Sequence, residues 1–290
     1  MPPAPRRPDR YTIFVLPFGI TYTVVILSGA VSQSHRDTAE SKDPCIFLYC
    51  PPPRSRLPQN PLLPNRKLRE LYALIERCRG LERNQARRQP RTVAREALLA
   101  ATTMQLLPGD LLLAEPGDRT AVALAPKPKS ATPTPSTALP APRLALAAAM
   151  AHGLQAAGAE GLVLAFTRAG ATEPGWAAAL DWAHSAKLPL LLACSDATGG
   201  KANRAAKEPR LDWLQMQRLA KKLRLPVFAV DGEDAVAVYR VMQESVMRAR
   251  AGGGPAVFWA VLSPQRPARA HLPLARLQSY LAARHIPLRR

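Results

Sequence analysis

Phe166-Thr167-Arg168-Ala169-Gly170-Ala171-Thr172-Glu173-Pro174-Gly175, followed at a helix's distance by Lys187-Leu188-Pro189-Leu190-Leu191-Leu192-Ala193-Cys194-Ser195-Asp196, decides the fold of this chain. An apolar run over Gly161–Phe166 ends in a turn of small residues. A helical pattern then runs from Pro174 to Lys187, and a second apolar run, Leu190–Cys194, ends in the polar turn that starts at Ser195. Strand, tight turn, helix, strand, polar turn is the layout of a parallel crossover, because two parallel strands need a connection long enough to return to the same end of the sheet.

The same alternation continues on both sides. An Ala-rich helix, Leu144 to Ala157, precedes the first strand. Downstream, a helix from Asp212 to Leu223 leads into the strand Val227–Val230. A helix from Glu233 to Arg250, stopped by Gly252-Gly253-Gly254-Pro255, leads into the strand Ala256–Val261. The strand runs are continuously apolar rather than alternating, as in a parallel sheet covered on both faces. The pattern specifies an α/β fold, a doubly wound parallel sheet over roughly 142–262, with the runs at 161–166, 190–194, 227–230 and 256–261 as adjacent parallel strands.

Upstream of this core the regularity fades. Leu68, Leu71, Tyr72, Ile75 and Leu81 recur at helical spacing, which predicts a helix from a cap at Asn65 to near Asn84. A second helix is expected from Thr92 to Leu107, ended by Pro108-Gly109. Residues 126–142 read as a Pro-rich linker or surface loop. Residues 1–64, broken by Pro51-Pro52-Pro53, Pro58, Pro61 and Pro64, read as an irregular N-terminal extension, and 65–290 as one domain. That extension is expected to lie outside the packed domain.

The chain has 290 residues, enough to bury a sizeable core, and a formal charge of +19. Such a charge raises nucleic acid or an acidic partner. The arginines, however, are spread through every segment and are not interleaved with aromatics, so a diffuse basic surface is the reading adopted and no dedicated nucleic-acid function is expected. Cys45, Cys50, Cys78 and Cys194 lack the paired short spacings of a zinc site. They read as buried free thiols of a reducing compartment, which makes the chain cytoplasmic. Residues 11–31 offer an alternative: about twenty uncharged residues behind Arg6, Arg7 and Arg10 fit a signal or membrane-anchor segment. Pro17 and Gly19 weaken that pattern.

In a sheet of this kind ligands sit beyond the carboxyl ends of the strands, which makes Thr167–Gly175 and Ser195–Gly200 the candidate sites. A small-residue turn entering a helix presents backbone N–H groups to an anion. A carboxylate at one strand end and an amide at the next could hold Mg²⁺ against a diphosphate, since Mg²⁺ takes hard oxygen ligands.

Six segments in order then resemble one family: the alpha subunit of the dehydrogenase (decarboxylating) component of thiamine-diphosphate-dependent 2-oxo acid dehydrogenases. They are Leu68-Arg69-Glu70-Leu71-Tyr72 with Arg77 and Glu82; Arg95-Glu96-Ala97 with Leu107-Pro108-Gly109-Asp110; Gly170-Ala171-Thr172 with Gly175; and Lys187-Leu188-Pro189 with Cys194. The fifth and closest is Val230-Asp231-Gly232-Glu233-Asp234 with Ala237-Val238-Tyr239, and it runs on to the sixth, Ala249-Arg250-Ala251-Gly252-Gly253-Gly254-Pro255. The resemblance implies oxidative decarboxylation of a 2-oxo acid with acyl transfer to a lipoyl carrier. It also implies thiamine diphosphate with Mg²⁺, and a beta-type subunit or a second copy as partner.

The chain departs from the family at its functional positions. Where the family has Gly-Asp-Gly, this chain has Arg168-Ala169-Gly170, so the metal-binding Asp is replaced by Ala169. Where it has Asn-Asn, this chain has Asp196-Ala197, so the Mg²⁺-binding Asn is replaced by Ala197. The family's loop histidine is replaced by Ala268. Arg168, Gly170, Ala171 and Asp196 remain as the degenerate cofactor-binding positions, with no metal ligand and no catalytic residue assigned. Arg168 could neutralise a phosphate without a metal. The expectation is a diverged, weakly active or inactive relative, or a non-catalytic scaffold or subunit-interaction protein with the same fold.

Other chemistry-bearing residues read as structural. Asp231 and Asp234 look like an acidic pair but serve more simply as a helix start. His152 and His184 have no carboxylate at a relay position. Ser195 lacks a nucleophile elbow. Trp176, Trp182, Trp213 and Trp259 fall on helix or strand faces, as core or interface residues.

Overall fold

A computed structural model of the chain describes residues 24–25, 46–47, 63–86, 95–115, 118–125, 143–197, 211–262 and 272–288. Two short strands, β1 (Val24–Val25) and β2 (Ile46–Phe47), pair in parallel. Helices α1 (Asn65–Ala86) and α2 (Glu96–Thr103) follow, then strand β3 (Leu111–Leu113) and helices α3 (Arg119–Leu124) and α4 (Arg143–Ala156). From there strands and helices alternate: β4 (Val163–Arg168), α5 (Trp176–Ser185), β5 (Leu190–Asp196), α6 (Trp213–Leu223), β6 (Val227–Asp231), α7 (Ala235–Arg250) and β7 (Ala256–Val261). Helix α8 (Leu272–Ala283) closes the described chain.

Five strands form one sheet in the order β3-β4-β5-β7-β6, and every pairing is parallel. The four apolar runs expected to be adjacent parallel strands are β4, β5, β7 and β6. Their continuous apolar character follows from alternation that feeds two cores at once. Leu164, Phe166, Leu191, Ala193, Phe258 and Ala260 face α1, α2, α3, α7 and α8. Val163, Ala165, Leu190, Leu192, Cys194, Val257 and Trp259 face α4, α5 and α6. Each fully buried large side chain of this kind contributes about 1.5–3 kcal/mol.

Some boundaries differ from expectation. Helix α2 begins at Glu96 and ends at Thr103, short of Leu107. Thr102 and Thr103 turn their hydroxyls back onto Leu98 O (2.7 Å) and Leu99 O (2.6 Å), and the approach to Pro108 disfavours further helix. Strand β3 and helices α3 and α8 were not anticipated from the pattern. Cys78 and Cys194 are free, buried thiols, and burial pushes both well above the ordinary thiol range; Cys45 and Cys50 lie outside the described residues. Among the described residues no helix is long and apolar enough to cross a membrane. Apart from Val24–Val25, the segment 11–31 lies outside them, as do the loop 126–142 and Ala268.

The strand order places the crevice. Strand β5 leaves toward α6 on one face, whereas β7 leaves toward α8 on the other, so the connections diverge between two neighbouring strands. Beyond each carboxyl end the pairing runs one residue further: Ala169 N donates to Ser195 O (2.9 Å), Leu262 N to Asp196 O (2.7 Å) and Gly232 N to Val261 O (2.8 Å). Gly232 is required for that closeness, since a Cβ there would lie 2.9 Å from Ala260 Cβ and 2.6 Å from Leu262 Cδ2.

Candidate functional site

The turn after β4 starts with Arg168, exposed, and Ala169, half-buried against the core. Gly170 sits at φ +77°, a conformation that favours glycine, and its N–H donates to Leu211 O at 2.8 Å. Ala171 N closes the turn on Arg168 O (3.1 Å), and Leu211 N donates back to Ala171 O (3.1 Å). The N–H groups of Ala169, Gly170 and Ala171, which a phosphate would need, are therefore engaged by carbonyls. Glu173 and Gly175 (φ +70°) then lead into α5.

Arg168, Gly170 and Ala171 thus share one turn, and Asp196 ends the next strand. Arg168 and Ala171 line a cleft of about 230 Å³ together with Thr167, Thr172, Glu173, Glu115 and Arg143. Gly170 and Asp196 are not part of it. Asp196 is buried at 2% exposure and its Oδ2 accepts the indole N–H of Trp259 (3.0 Å).

Two arginines organise the charges around the cleft: Arg143, which sequence reasoning did not single out, and Arg95, which it quoted only within the Arg95-Glu96-Ala97 segment. Arg143, the first residue of α4, extends Nη2 across the ends of β3 and β4 to Ala114 O, Phe166 O (3.1 Å) and Leu113 O (3.5 Å). Its backbone N–H donates to Glu173 Oε2 (3.2 Å), and Nη1 lies 3.8 Å from Glu173 Oε1. Glu173 therefore caps α4 from thirty residues away, placing a negative charge at a helix N-terminus. Burial outweighs the attraction for both partners: it raises the Glu173 carboxyl against the pull of Arg143, and lowers Arg143 against the pull of Glu173 and Glu115.

Behind this pair Arg95, buried, reaches Asp118 Oδ2 (2.5 Å), Glu115 Oε1 (3.4 Å) and Glu82 Oε1 (3.8 Å). Burial alone would lower its value, but these three carboxylates hold it above the ordinary one. Thr167 Oγ1 lies buried without a hydrogen-bond partner. Five of the seven lining residues, Thr167, Arg168, Ala171, Thr172 and Glu173, stood inside the quoted turn. The roles of Arg143 and Glu115 depend on contacts across tens of residues, which no local pattern reports.

The other singled-out residues take structural places. Asp234 caps α7 through Val236 N and Ala237 N (both 3.0 Å), and Asp231 accepts Glu233 N (2.9 Å) and Arg276 Nη1 (2.6 Å). His184 ends α5, at the opposite end of the sheet from the cleft; burial and then Arg248 lower its pKa. His152 lies against Trp182 at the surface, ring centroids 5.5 Å apart and tilted by 53°. Trp176 and Trp259 are buried, and Trp213 packs on Trp259 at 5.3 Å. Ser195 Oγ donates to Thr167 O (3.3 Å).

The donor set can be tested against Mg²⁺. Ala169 and Ala197 carry no lone pair on their side chains, and the Asp196 carboxylate between them is committed to Trp259. Among the described residues no group of three or more His, Cys, Asp or Glu is arranged to hold a metal ion. The described residues do not fit a Mg²⁺–diphosphate group. The family model described as dehydrogenase E1 component matches residues 114–261, from the end of β3 to the last residue of β7. No curated protein matches the chain.

Proposed function

Since the chain belongs to the dehydrogenase E1 component family, we propose that it is a diverged alpha-type subunit of a 2-oxo acid dehydrogenase, with weak decarboxylase activity of its own or none. In that family thiamine diphosphate, anchored through Mg²⁺, supplies the electron sink for loss of CO₂, and the protein supplies binding and orientation. Here the anchor is gone while the scaffold stays. One observation carries the reading: the two strand-end positions that would ligate the cation are Ala169 and Ala197, and the intervening Asp196 accepts the Trp259 indole.

What remains is the five-stranded scaffold and its outer helical faces. The family pairs with a beta-type subunit or with further copies, and this chain is proposed to keep such a partner while leaving the cofactor chemistry to an intact site elsewhere. The alternative is a scaffold or subunit-interaction protein with no link to a decarboxylase. Calorimetry decides whether the anchor is lost. The full chain is expected to bind Mg²⁺–thiamine diphosphate no more tightly than about millimolar, roughly −4 kcal/mol. Micromolar, Mg²⁺-dependent binding would overturn the reading and restore a working enzyme.

A further inference from the structure

Strand β6 stands at the edge of the five-stranded sheet and hydrogen-bonds there to β7 alone. Val257 N donates to Pro226 O (2.9 Å) and Gly232 N to Val261 O (2.8 Å), so Pro226, Phe228, Val230 and Gly232 turn their backbone groups toward β7. By the alternation of a strand, Val227 and Ala229 turn theirs to the open edge, where no described residue pairs with them. Yet both residues are only 2% exposed, so water does not reach that edge either. A buried backbone N–H or C=O without a partner costs about as much as a lost hydrogen bond. The strand also lacks the usual edge protection, since Val227-Phe228-Ala229-Val230 contains no lysine and no proline, and its register with β7 has no bulge.

The N-terminal extension offers a cover. The Cα atoms of β1 come within 8 Å of those of β6. That is nearer than the roughly 10 Å between stacked sheets, and it suits a strand lying beside the edge, where neighbours stand about 4.8 Å apart. Strand β1 pairs with β2 along one side, through Val24 with Ile46 and Val25 with Phe47, which leaves its other side for a second strand. The sequence around it, Ile20-Thr21-Tyr22-Thr23-Val24-Val25-Ile26, consists of β-branched and aromatic residues throughout. We propose that β1 is the missing partner of β6: this segment of the extension adds to the open edge as a further strand, its backbone groups meeting those of Val227 and Ala229, with β2 outside it. The extension then belongs to the packed domain at this segment, against the expectation from its prolines, and residues 11–31, seated on a sheet edge, are not a membrane anchor. Covering the edge also denies it to a second copy of the chain. The inference is independent of the cofactor chemistry.

Nuclear magnetic resonance on the full chain tests it. Short backbone contacts are expected between Val24 or Val25 and Val227 or Ala229, and they should arise within single chains when labelled and unlabelled chains are mixed. The amides of Val227 and Ala229 should exchange with solvent slowly, as those of Phe228 and Val230 do. Val24→Pro with Val25→Pro removes both donors of β1 and puts proline where a strand is paired on both sides. That double variant is expected to speed exchange at Val227 and Ala229 at least about tenfold while sparing Phe228 and Val230, which β7 holds. Absent contacts, fast exchange at Val227 and Ala229 in the unaltered chain, or unchanged exchange in a folded double variant overturns the inference. Contacts found only between differently labelled chains overturn it as well and assign the edge to a second copy. A double variant that also loses protection at Phe228 and Val230 has unfolded, and the contacts and exchange of the unaltered chain then decide.

Discussion

Trp259 in β7 donates its indole N–H to Oδ2 of Asp196, the last residue of β5, across 3.0 Å and 63 positions of sequence. The two strands are neighbours whose connections leave on opposite faces, so this bond spans the crevice where such a fold places its ligand. A carboxylate that could take a cation is turned into a strand-to-strand tie. Its backbone carbonyl is occupied as well, by Leu262 N at 2.7 Å.

That tie should matter for stability. Trp259→Phe keeps an aromatic ring in the core but removes the donor, leaving a lone pair of a 2%-exposed carboxylate without its indole. The expected loss is about 1–3 kcal/mol, read as a lower urea midpoint at unchanged slope. An unmoved midpoint would show that other donors suffice for Asp196.

The amino ends of the strands hold the matching structural pin. Asp110, its side chain 1% exposed, accepts Leu107 N (2.6 Å) and Leu162 N (3.0 Å), and it pairs with Arg250 Nη2 at 2.5 Å. One carboxylate thus joins the entries to β3 and β4 to the end of α7. Asp110→Ala is expected to cost about 2–4 kcal/mol, because it leaves two backbone amides without their acceptor and takes the carboxylate from Arg250, which keeps only Glu160 O. Arg250→Ala should cost less, since its own side chain is 24% exposed and water replaces part of the bond. Thermal unfolding of both variants checks the order, and equal losses would contradict it.

Local pattern carried much of this architecture. Strands β4 to β7 were legible because residues on both parities are apolar, as a doubly covered strand demands. Strand β3 was not, because Leu111–Leu113 is a three-residue edge strand behind Pro108-Gly109-Asp110. The position of β7 between β5 and β6 was also hidden, since a helix of given length can return a chain beside its predecessor or one strand further. The same limit applies to the cleft. Arg168, Gly170 and Ala171 fall together because a turn is local, but Arg143 meets Glu173 and Arg95 meets Asp118 only once the sheet has formed.

Glu96 gives a pH signature. It lies at 8% exposure in the first turn of α2, its Oε2 has no partner, and burial, then Glu82, raises its carboxyl above 4.5. A raised value in the fold means that the folded chain holds this proton more tightly than the unfolded one. The group's stabilising contribution is then complete below about pH 4.5 and is lost as pH rises through the folded value. Glu96→Gln removes the ionisation, so at pH 7 the variant should be more stable by about 1 kcal/mol. Urea curves from pH 4 to pH 8 should show that advantage shrinking toward the acid side. A gain independent of pH would assign the effect to packing.

The proposed cofactor positions can be rebuilt. Arg168 pairs with Ser195 in the sheet register, and Ala169 N still reaches Ser195 O at 2.9 Å, so Ala169 and Ala197 flank the same pair of strand ends. Ala169→Asp with Ala197→Asn would restore a carboxylate and an amide carbonyl, two hard oxygens of the kind Mg²⁺ accepts beside phosphate oxygens and water. Asp196 would not have to leave Trp259 for this to work. Two factors oppose it: Ala169 is half-buried, so its new carboxylate is partly desolvated, and the Arg168 guanidinium beside it competes with the cation. The double variant should nonetheless gain at least about tenfold in affinity for thiamine diphosphate, or about 1.4 kcal/mol, and only when Mg²⁺ is present. Each single change should give less than half of that gain, because a lone protein ligand leaves the metal on water. Titration with and without Mg²⁺, alongside a melting curve, separates the outcomes. A folded double variant with no Mg²⁺-dependent gain would show that these two strand ends do not set the affinity.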